Sequence, residues 1–492
     1  MSEQQSSYRQ IFKATSIFGG VQVFQIILSI VRSKFVAVLL GAQGMGISGL
    51  FLSVTTLISG ITGMGISVSA VRNISEANGT GDEKRIAHVA AVVKKLALIT
   101  GMLGAFITIV LSPWLSRATF GNDQYTWSFI ALSVTFLLGS LASSQSVLLQ
   151  GLSKLSSLAK ANVLGATVGL AVSIPLYYLY GLTGIVPAII LSAVATTFFA
   201  YFFGRRVVIQ KTEPVSFSEA WREGKGMISM GIMLTLSAVI AAVSAYVLRL
   251  FINQQGSLVD VGLYSAGFAI VNTYVGMIFT AMSTDYYPRL SAVANDSVKA
   301  NMLVNQQAEM ALLILGPVLI LFLIVLKFAI VLLYSAEFLA CVEMVQWAVL
   351  AIFFKALTWS MGFLLLSKGK SKIFFWNELA VNIYTLFFNV IGYYYYGIEG
   401  IGLSFFVAYL FATIQNTILL NVTDGFLFNL RTYSILFIHF LPAIACLILV
   451  RSIDISTFYL ISPLLCFLSI IYSFKELNKR MNILDKLKAF LK

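Results

Sequence analysis

Six ionisable side chains stand in stretches that are otherwise hydrocarbon: the cations Arg32, Lys34, Arg249 and Lys355, and the acids Glu309 and Glu378. Lys355, in "VQWAVLAIFFKALTWSMGFLLLS", lies 11 residues after Met344 and 12 before Ser367. On a helix it is then roughly 17 Å from either end. A lysine at a membrane-helix centre costs about 2.5 to 3.5 kcal/mol, so it must face water, a partner or an anionic ligand. Arg32 falls about 13 Å before a turn at Gly41, deep enough to carry the same demand. Lys34, about 200° further round the helix, cannot share its face, and is the one expected to snorkel outward. Arg249 is within about 6 Å of its helix end and snorkels by default. A guanidinium offers planar donors that match phosphate oxygens, so such cations suit a phosphorylated ligand. Glu309 and Glu378 have two readings: neutralising Lys355, or binding a coupling ion.

The elements that carry these residues follow from composition. Of 492 residues, 59% are hydrophobic and 11% charged, and the mean hydropathy is +0.89; soluble chains carry about 25% charged residues. Apolar runs of about 20 residues recur along the chain, and alternating strands of about ten do not, so the class is an all-α polytopic membrane protein. Spans are expected at roughly 11–40, 45–71, 88–111, 125–149, 161–180, 183–203, 227–253, 261–284, 302–326, 344–366, 373–396, 401–422, 433–450 and 456–474, fourteen in all. The first is expected to be retained, since it is too long for a signal peptide. The short piece "FAIVLLYS" at 328–335 is read as an interfacial segment.

The net charge of +13 resides in short loops between spans, including Arg72, Lys84, Arg85, Lys154, Arg205 and Arg206. That pattern sets membrane orientation, places both termini in the cytoplasm and leaves nucleic acid without support. The tail "FKELNKRMNILDKLKAFLK" reads as a helix lying on anionic headgroups. Cys341, Cys446 and Cys466 form no disulfide framework, and His88 and His439 make no metal cluster with them. No metal or cofactor is expected. "SKGKS" at 367–371 is no phosphate-binding loop, because the required glycine position, 364, is Leu.

The chain repeats itself. "VRSKFVAVLLGAQGMGISGLFLSV" at 31–54 is answered by "VLRLFINQQGSLVDVGLYSAGFAI" at 247–270. "SAVRNISEAN" at 69–78 is answered by "YYPRLSAVAND" at 286–296, and "SPWLSRATFGND" at 112–123 by "KFAIVLLYSAEF" at 327–338. Two pseudo-repeated six-helix lobes, roughly 1–210 and 211–430, followed by two extra helices and the basic tail at 431–492, are the economical division. The competing reading is that any two membrane hairpins share composition; three landmarks in the same order weigh against it. Parallel repeats of this kind are one route to alternating access.

Several of these segments carry a family resemblance: "RSKFVAVLLGAQGMGISGLF" (32–51), "GDEKRIAHVAAVVKKLALITGMLGAF" (81–106), "LSPWLSRATFGND" (111–123), "YYPRLSAV" (286–293), "LLYSAEF" (332–338) and "LLLSKGKSKIFFWNE" (364–378). The chain resembles the Wzx-type polysaccharide-lipid flippases of the multidrug/oligosaccharidyl-lipid/polysaccharide (MOP) exporter superfamily. It departs from their common Leu-Gly-Pro turn, reading Leu40-Gly41-Ala42. The resemblance implies a two-lobed transporter with a cationic central cavity in the bacterial inner membrane. Its implied cargo is an undecaprenyl-pyrophosphate-linked oligosaccharide such as an O-antigen repeat unit, moved toward the periplasm during lipopolysaccharide biosynthesis. The glycan polymerase and chain-length machinery are the implied partners. Arg32, Lys34, Arg249 and Lys355 would hold the pyrophosphate. Sugar contacts are offered by Gln22, Gln25, Ser143, Ser144, Gln145, Asn272, Tyr274, Asn377, Asn382 and Tyr384, each of which has a helix–helix hydrogen bond as its competing role.

Three alternatives stand beside this reading. A lipid II-type flippase carries the same pyrophosphate. A cation-coupled drug antiporter would need a carboxylate in its cavity, and the first six spans have none in their interiors. A membrane glycan-processing enzyme would show a large extramembrane loop or an acidic metal-binding cluster, and loops here reach only about twenty residues.

Overall fold

The structure, a computed structural model, describes residues 3–207, 215–452 and 455–481. The elements run α1 Glu3–Gly63, α2 Ile66–Gly79, α3 Glu83–Phe120, α4 Thr126–Gly151, α5 Leu155–Tyr180, α6 Ile185–Gly204 and α7 Phe217–Gln255. They continue as α8 Leu258–Ala269, α9 Gly276–Ala292, α10 Ser297–Leu333, α11 Val342–Ser367, α12 Ser371–Asp424, α13 Leu430–Ser452 and α14 Ile455–Met481. No strand occurs among the described residues, as the apolar periodicity predicts. Eleven helices there are long and apolar enough to cross a membrane. The chain is a multi-pass α-helical membrane protein. It forms two compact units, one ending at Gly262 and one beginning at Leu263.

Three of the eleven apolar stretches, 44, 50 and 54 residues long, exceed the roughly 20 residues that one crossing needs. Each turns at a glycine with positive φ: Gly41 (φ 66, ψ −168), Gly181 (φ 54, ψ −131) and Gly397 (φ 59, ψ −141). A side chain would clash in that region of backbone space, so glycine fixes the site of each turn. Beyond Gly397 the chain folds back: Ser404 Oγ donates to the Phe388 carbonyl at 2.7 Å. Gly181 and Gly397 lie 216 residues apart, the same offset that relates 31–54 to 247–270, so turn geometry repeats along with sequence. The offset recurs inside the first unit, where Gly46 packs on the Leu258 carbonyl and Gly262 packs reciprocally on that of Ala42.

Two expected elements differ. The span expected at 45–71 is broken: α1 ends at Gly63, Met64 and Gly65 have φ of 48° and 62°, and α2 then carries the chain to Gly79. The cause is distant in sequence. Gly65 and Gly231 of α7 meet backbone to backbone, each filling the space that a Cβ on the other would need. The "FAIVLLYS" segment is not a separate interfacial piece, because α10 runs through it to Leu333. Lys327 projects to the surface without interrupting the helix, and the apolar residues simply extend it. Its end is closed by the buried Tyr334, whose hydroxyl donates to the Ala266 carbonyl at 2.9 Å. The expected headgroup-binding tail falls largely on residues 482–492, outside the described residues.

In the first unit, Asp82 caps α3 by accepting from the Lys84 and Arg85 amides, and Ser216 and Glu219 form a capping box that starts α7. Arg117 in the last turn of α3 bonds Asp123 of the following loop at 2.7 Å and holds that carboxyl below the usual range. In the second unit, the two C-terminal helices are fastened to α10. Arg431 of α13 pairs with Glu476 of α14 at 2.7 Å, joining these two helices to each other, and buried His439 of α13 bonds Ser469 of α14 and lies against Gly316 of α10.

Candidate functional site

Lys355 sits midway along α11, with Phe353, Phe354, Ala356 and Leu357 buried around it. Its ammonium donates to Asn272 Oδ1 at 3.2 Å and lies 5.7 Å from the centre of the Tyr409 ring. Asn272 belongs to a π-helical turn, Ile270–Val275, between α8 and α9. Such turns widen one coil of a helix and are frequent at functional sites. Among the described residues Lys355 has no carboxylate partner, and a lysine ammonium carries three donors. Glu378, half-buried on α12, is within electrostatic reach of Tyr384 and Tyr409. One residue earlier, buried Asn377 links Gln415 and Asn416 through bonds of 2.8 and 2.9 Å. The Tyr384 hydroxyl is buried without a partner. The side chain of Tyr274 lies outside the described residues.

Glu309 occupies different surroundings. It is buried on α10 and pairs with Arg480 of α14 at 2.7 Å while accepting from the Thr432 hydroxyl of α13 at 3.2 Å. The structure therefore brings Glu309 to the C-terminal helices and pairs it there.

In the first unit, Arg32 is exposed and lines a cavity of about 230 Å³ with Gln25, Leu28 and Ser29 of α1 and Ala166 and Leu170 of α5. Gln25, Ser29 and Arg32 follow one another at helical spacing, so α1 turns a donor-rich stripe toward α5. Lys34 is half-buried. Arg249, also half-buried, donates from Nη1 to the Ala245 carbonyl one turn back at 3.2 Å, so its guanidinium lies along its own helix. Gln145 is buried against Gly204, and Asn382 donates to the Glu378 carbonyl one turn back at 2.8 Å. Gln22 is exposed.

A second cavity of the first unit, about 330 Å³, escaped the sequence reading except for Ser143 and Ser144. It adjoins the α1–α2 break and is lined by hydroxyl residues including Ser59, Thr62, Thr100, Thr135 and Ser140, interleaved with glycines and apolar residues such as Val93 and Phe136, with no charged side chain. Thr62, Thr100, Thr135 and Ser140 each donate to a backbone carbonyl of their own helix at 2.6 to 3.1 Å. Their oxygen lone pairs remain available as acceptors. The available signal was the Gly-Met-Gly interruption at 63–65, since glycine-broken membrane helices point to binding sites.

A model of the family described as "Polysaccharide biosynthesis protein" matches residues 35–343, more than half of the chain. The chain belongs to that family. The chain is also 22% identical over 351 residues to the lipid III flippases of Escherichia coli (strain K12) and Shigella flexneri, covering 70% of this chain and 83% of each relative. Among solved structures, lipid II flippase MurJ in an inward closed conformation superposes with a TM-score of 0.70 at 11% identity, covering 96% of this chain and 99% of that one. An inward-facing multidrug resistance MATE transporter of the MOP superfamily gives 0.67 at 15% identity, covering 84% and 95%. The fold is that of the MOP superfamily, in agreement with the expected resemblance.

Proposed function

We propose that this protein is a flippase that carries an undecaprenyl-pyrophosphate-linked oligosaccharide, such as an O-antigen repeat unit, across the bacterial inner membrane by alternating access. Lys355 is the observation that carries this reading: an intramembrane ammonium held by a neutral amide and a ring, with donors to spare for a phosphate oxygen. Arg32, beside Gln25 and Ser29, offers a second donor set in the first unit. Lys34 and Arg249 of the first unit are secondary candidates for binding a phosphate group. Membership of the family and likeness to two lipid III flippases support a lipid-linked glycan as cargo. Counting each of the three glycine-turned stretches as two crossings gives the expected fourteen, with both termini in the cytoplasm. The two six-helix lobes are proposed to extend over 1–210 and 211–430. The glycan polymerase and chain-length machinery are the partners this role requires, and no enzymatic step is assigned. Glu378 is the candidate for ion coupling; Glu309, paired with Arg480, is the weaker of the two acids.

The drug-antiporter alternative draws on the MATE likeness, but neither cavity of the first unit has an acidic residue in its lining. A lipid II-type cargo would use the same cations. Complementation of a flippase-deficient strain decides: wild type restores surface glycan, while Lys355→Ala and Arg32→Ala, at equal membrane abundance, do not. Full activity of both variants removes the cationic site.

A further inference from the structure

The sequence gives no reason to expect a metal, because its ligand candidates are scattered. Folding gathers one of them with two glutamates. His88 near the start of α3 and Glu219 and Glu223 near the start of α7 bring their ligand atoms within 4.8 Å of one another. His88 Nε2 and Glu223 Oε2 are 2.8 Å apart, with side chains 34% and 39% exposed, so the cluster is reachable from solvent. We propose that His88, Glu219 and Glu223 form a binding site for a divalent first-row transition ion of the zinc class, joining the start of α3 to the start of α7.

Each ligand stands on a fixed helix. The Asp82 cap holds the first turn of α3, and the capping box holds that of α7. Beneath the cluster, Val92 and Leu96, one and two turns beyond His88, pack in one core with Met227, one turn beyond Glu223. Gly224 lets α7 approach Leu96 closely. In the capping box Glu219 uses Oε2 to accept from the Ser216 amide at 3.3 Å, leaving its other oxygen available.

One imidazole and two carboxylates, with water completing four positions, are a zinc-type ligand set. Bonds of about 2.0 to 2.1 Å would place ligand atoms roughly 3.4 Å apart, within reach of small rotations of two glutamates. Imidazole favours zinc, cobalt or nickel over magnesium and calcium, which prefer all-oxygen shells. The positive ends of two helix dipoles oppose a cation, but that effect fades beyond the first turn, and His88 and Glu223 lie in the second.

The test is titration of Co²⁺ and Zn²⁺ into the full chain, freed of any histidine tag, in detergent micelles. Calorimetry reads binding, and visible absorption reads Co²⁺ geometry. The expected result is one ion per chain with tetrahedral Co²⁺ bands, and at least about tenfold weaker binding in His88→Gln, Glu219→Gln and Glu223→Gln. Glutamine can still bond its neighbour at position 88 and serves in capping boxes, so these variants should keep the metal-free melting temperature. No saturable binding by the wild type, or equal affinity in the three folded variants, overturns the site.

Discussion

The second helix of each sequence repeat is interrupted, and the two interruptions differ. In the first repeat the helix is severed at Met64–Gly65, beside a cavity of neutral hydroxyls. In the second the backbone stays helical but widens into the π turn at Ile270–Val275, which carries Asn272 to Lys355. Both interruptions thus fall in the element that opens on the matched segments 31–54 and 247–270, with different chemistry beside each. The first interruption adjoins hydroxyl residues, glycines and apolar side chains without charge, the second a lysine that donates to Asn272. The severed helix has left-handed backbone at Met64 and Gly65, whereas the π turn needs no left-handed residue, so the two should respond differently to a side chain added at a glycine.

The largest effect is expected at the charged interruption. Lys355→Ala should abolish glycan export and Lys355→Arg should retain part of it, read as surface glycan at matched protein levels. Equal loss in both would mean that shape matters there and charge does not.

Next comes the severed helix. Gly65→Val places a side chain at positive φ and against the Gly231 carbonyl, at an expected cost of about 2 to 4 kcal/mol. Gly276→Ala, just past the π turn with open space around its Cβ, should be neutral or stabilise by up to about 1 kcal/mol. Melting temperatures of the two purified variants check the pair, and similar shifts would erase the distinction.

Asn272→Ala removes one neutral partner of Lys355 without touching the charge. It should lower transport several-fold, less than Lys355→Ala, in a proteoliposome flipping assay. The smallest effect belongs to the hydroxyl cavity, where Ser143→Ala should change stability by less than about 0.5 kcal/mol and leave export near wild type.

Much of this was legible in the sequence because it depends on local pattern. Apolar runs specify helices, Gly41 marks a turn, and the match of 31–54 to 247–270 announces the repeat that Gly181 and Gly397 extend. Lys355 stood out because a lysine so far from either end of an apolar run is costly. What remained hidden depends on residues distant along the chain. Hydropathy passes over Met64–Gly65 because both fit an apolar run, and the break needs Gly231 to be understood. Asn272 is 83 residues from Lys355 and Glu223 is 135 from His88, so neither pairing has a local signal. Glu309 shows the converse: the sequence offered Lys355 or an ion as its counterpart, and the fold supplies Arg480.

The most direct test is binding of an undecaprenyl-pyrophosphate-linked saccharide to the purified protein in nanodiscs, alongside an uncharged polyprenyl glycoside with the same saccharide. A charge-assisted hydrogen bond contributes about 1.5 to 3 kcal/mol, so Lys355→Met should weaken the pyrophosphate lipid by about ten- to a hundredfold. The neutral lipid should bind wild type and variant alike. Unchanged affinity for the pyrophosphate lipid, or an equal loss for both lipids, would contradict the role of Lys355 as its anion anchor.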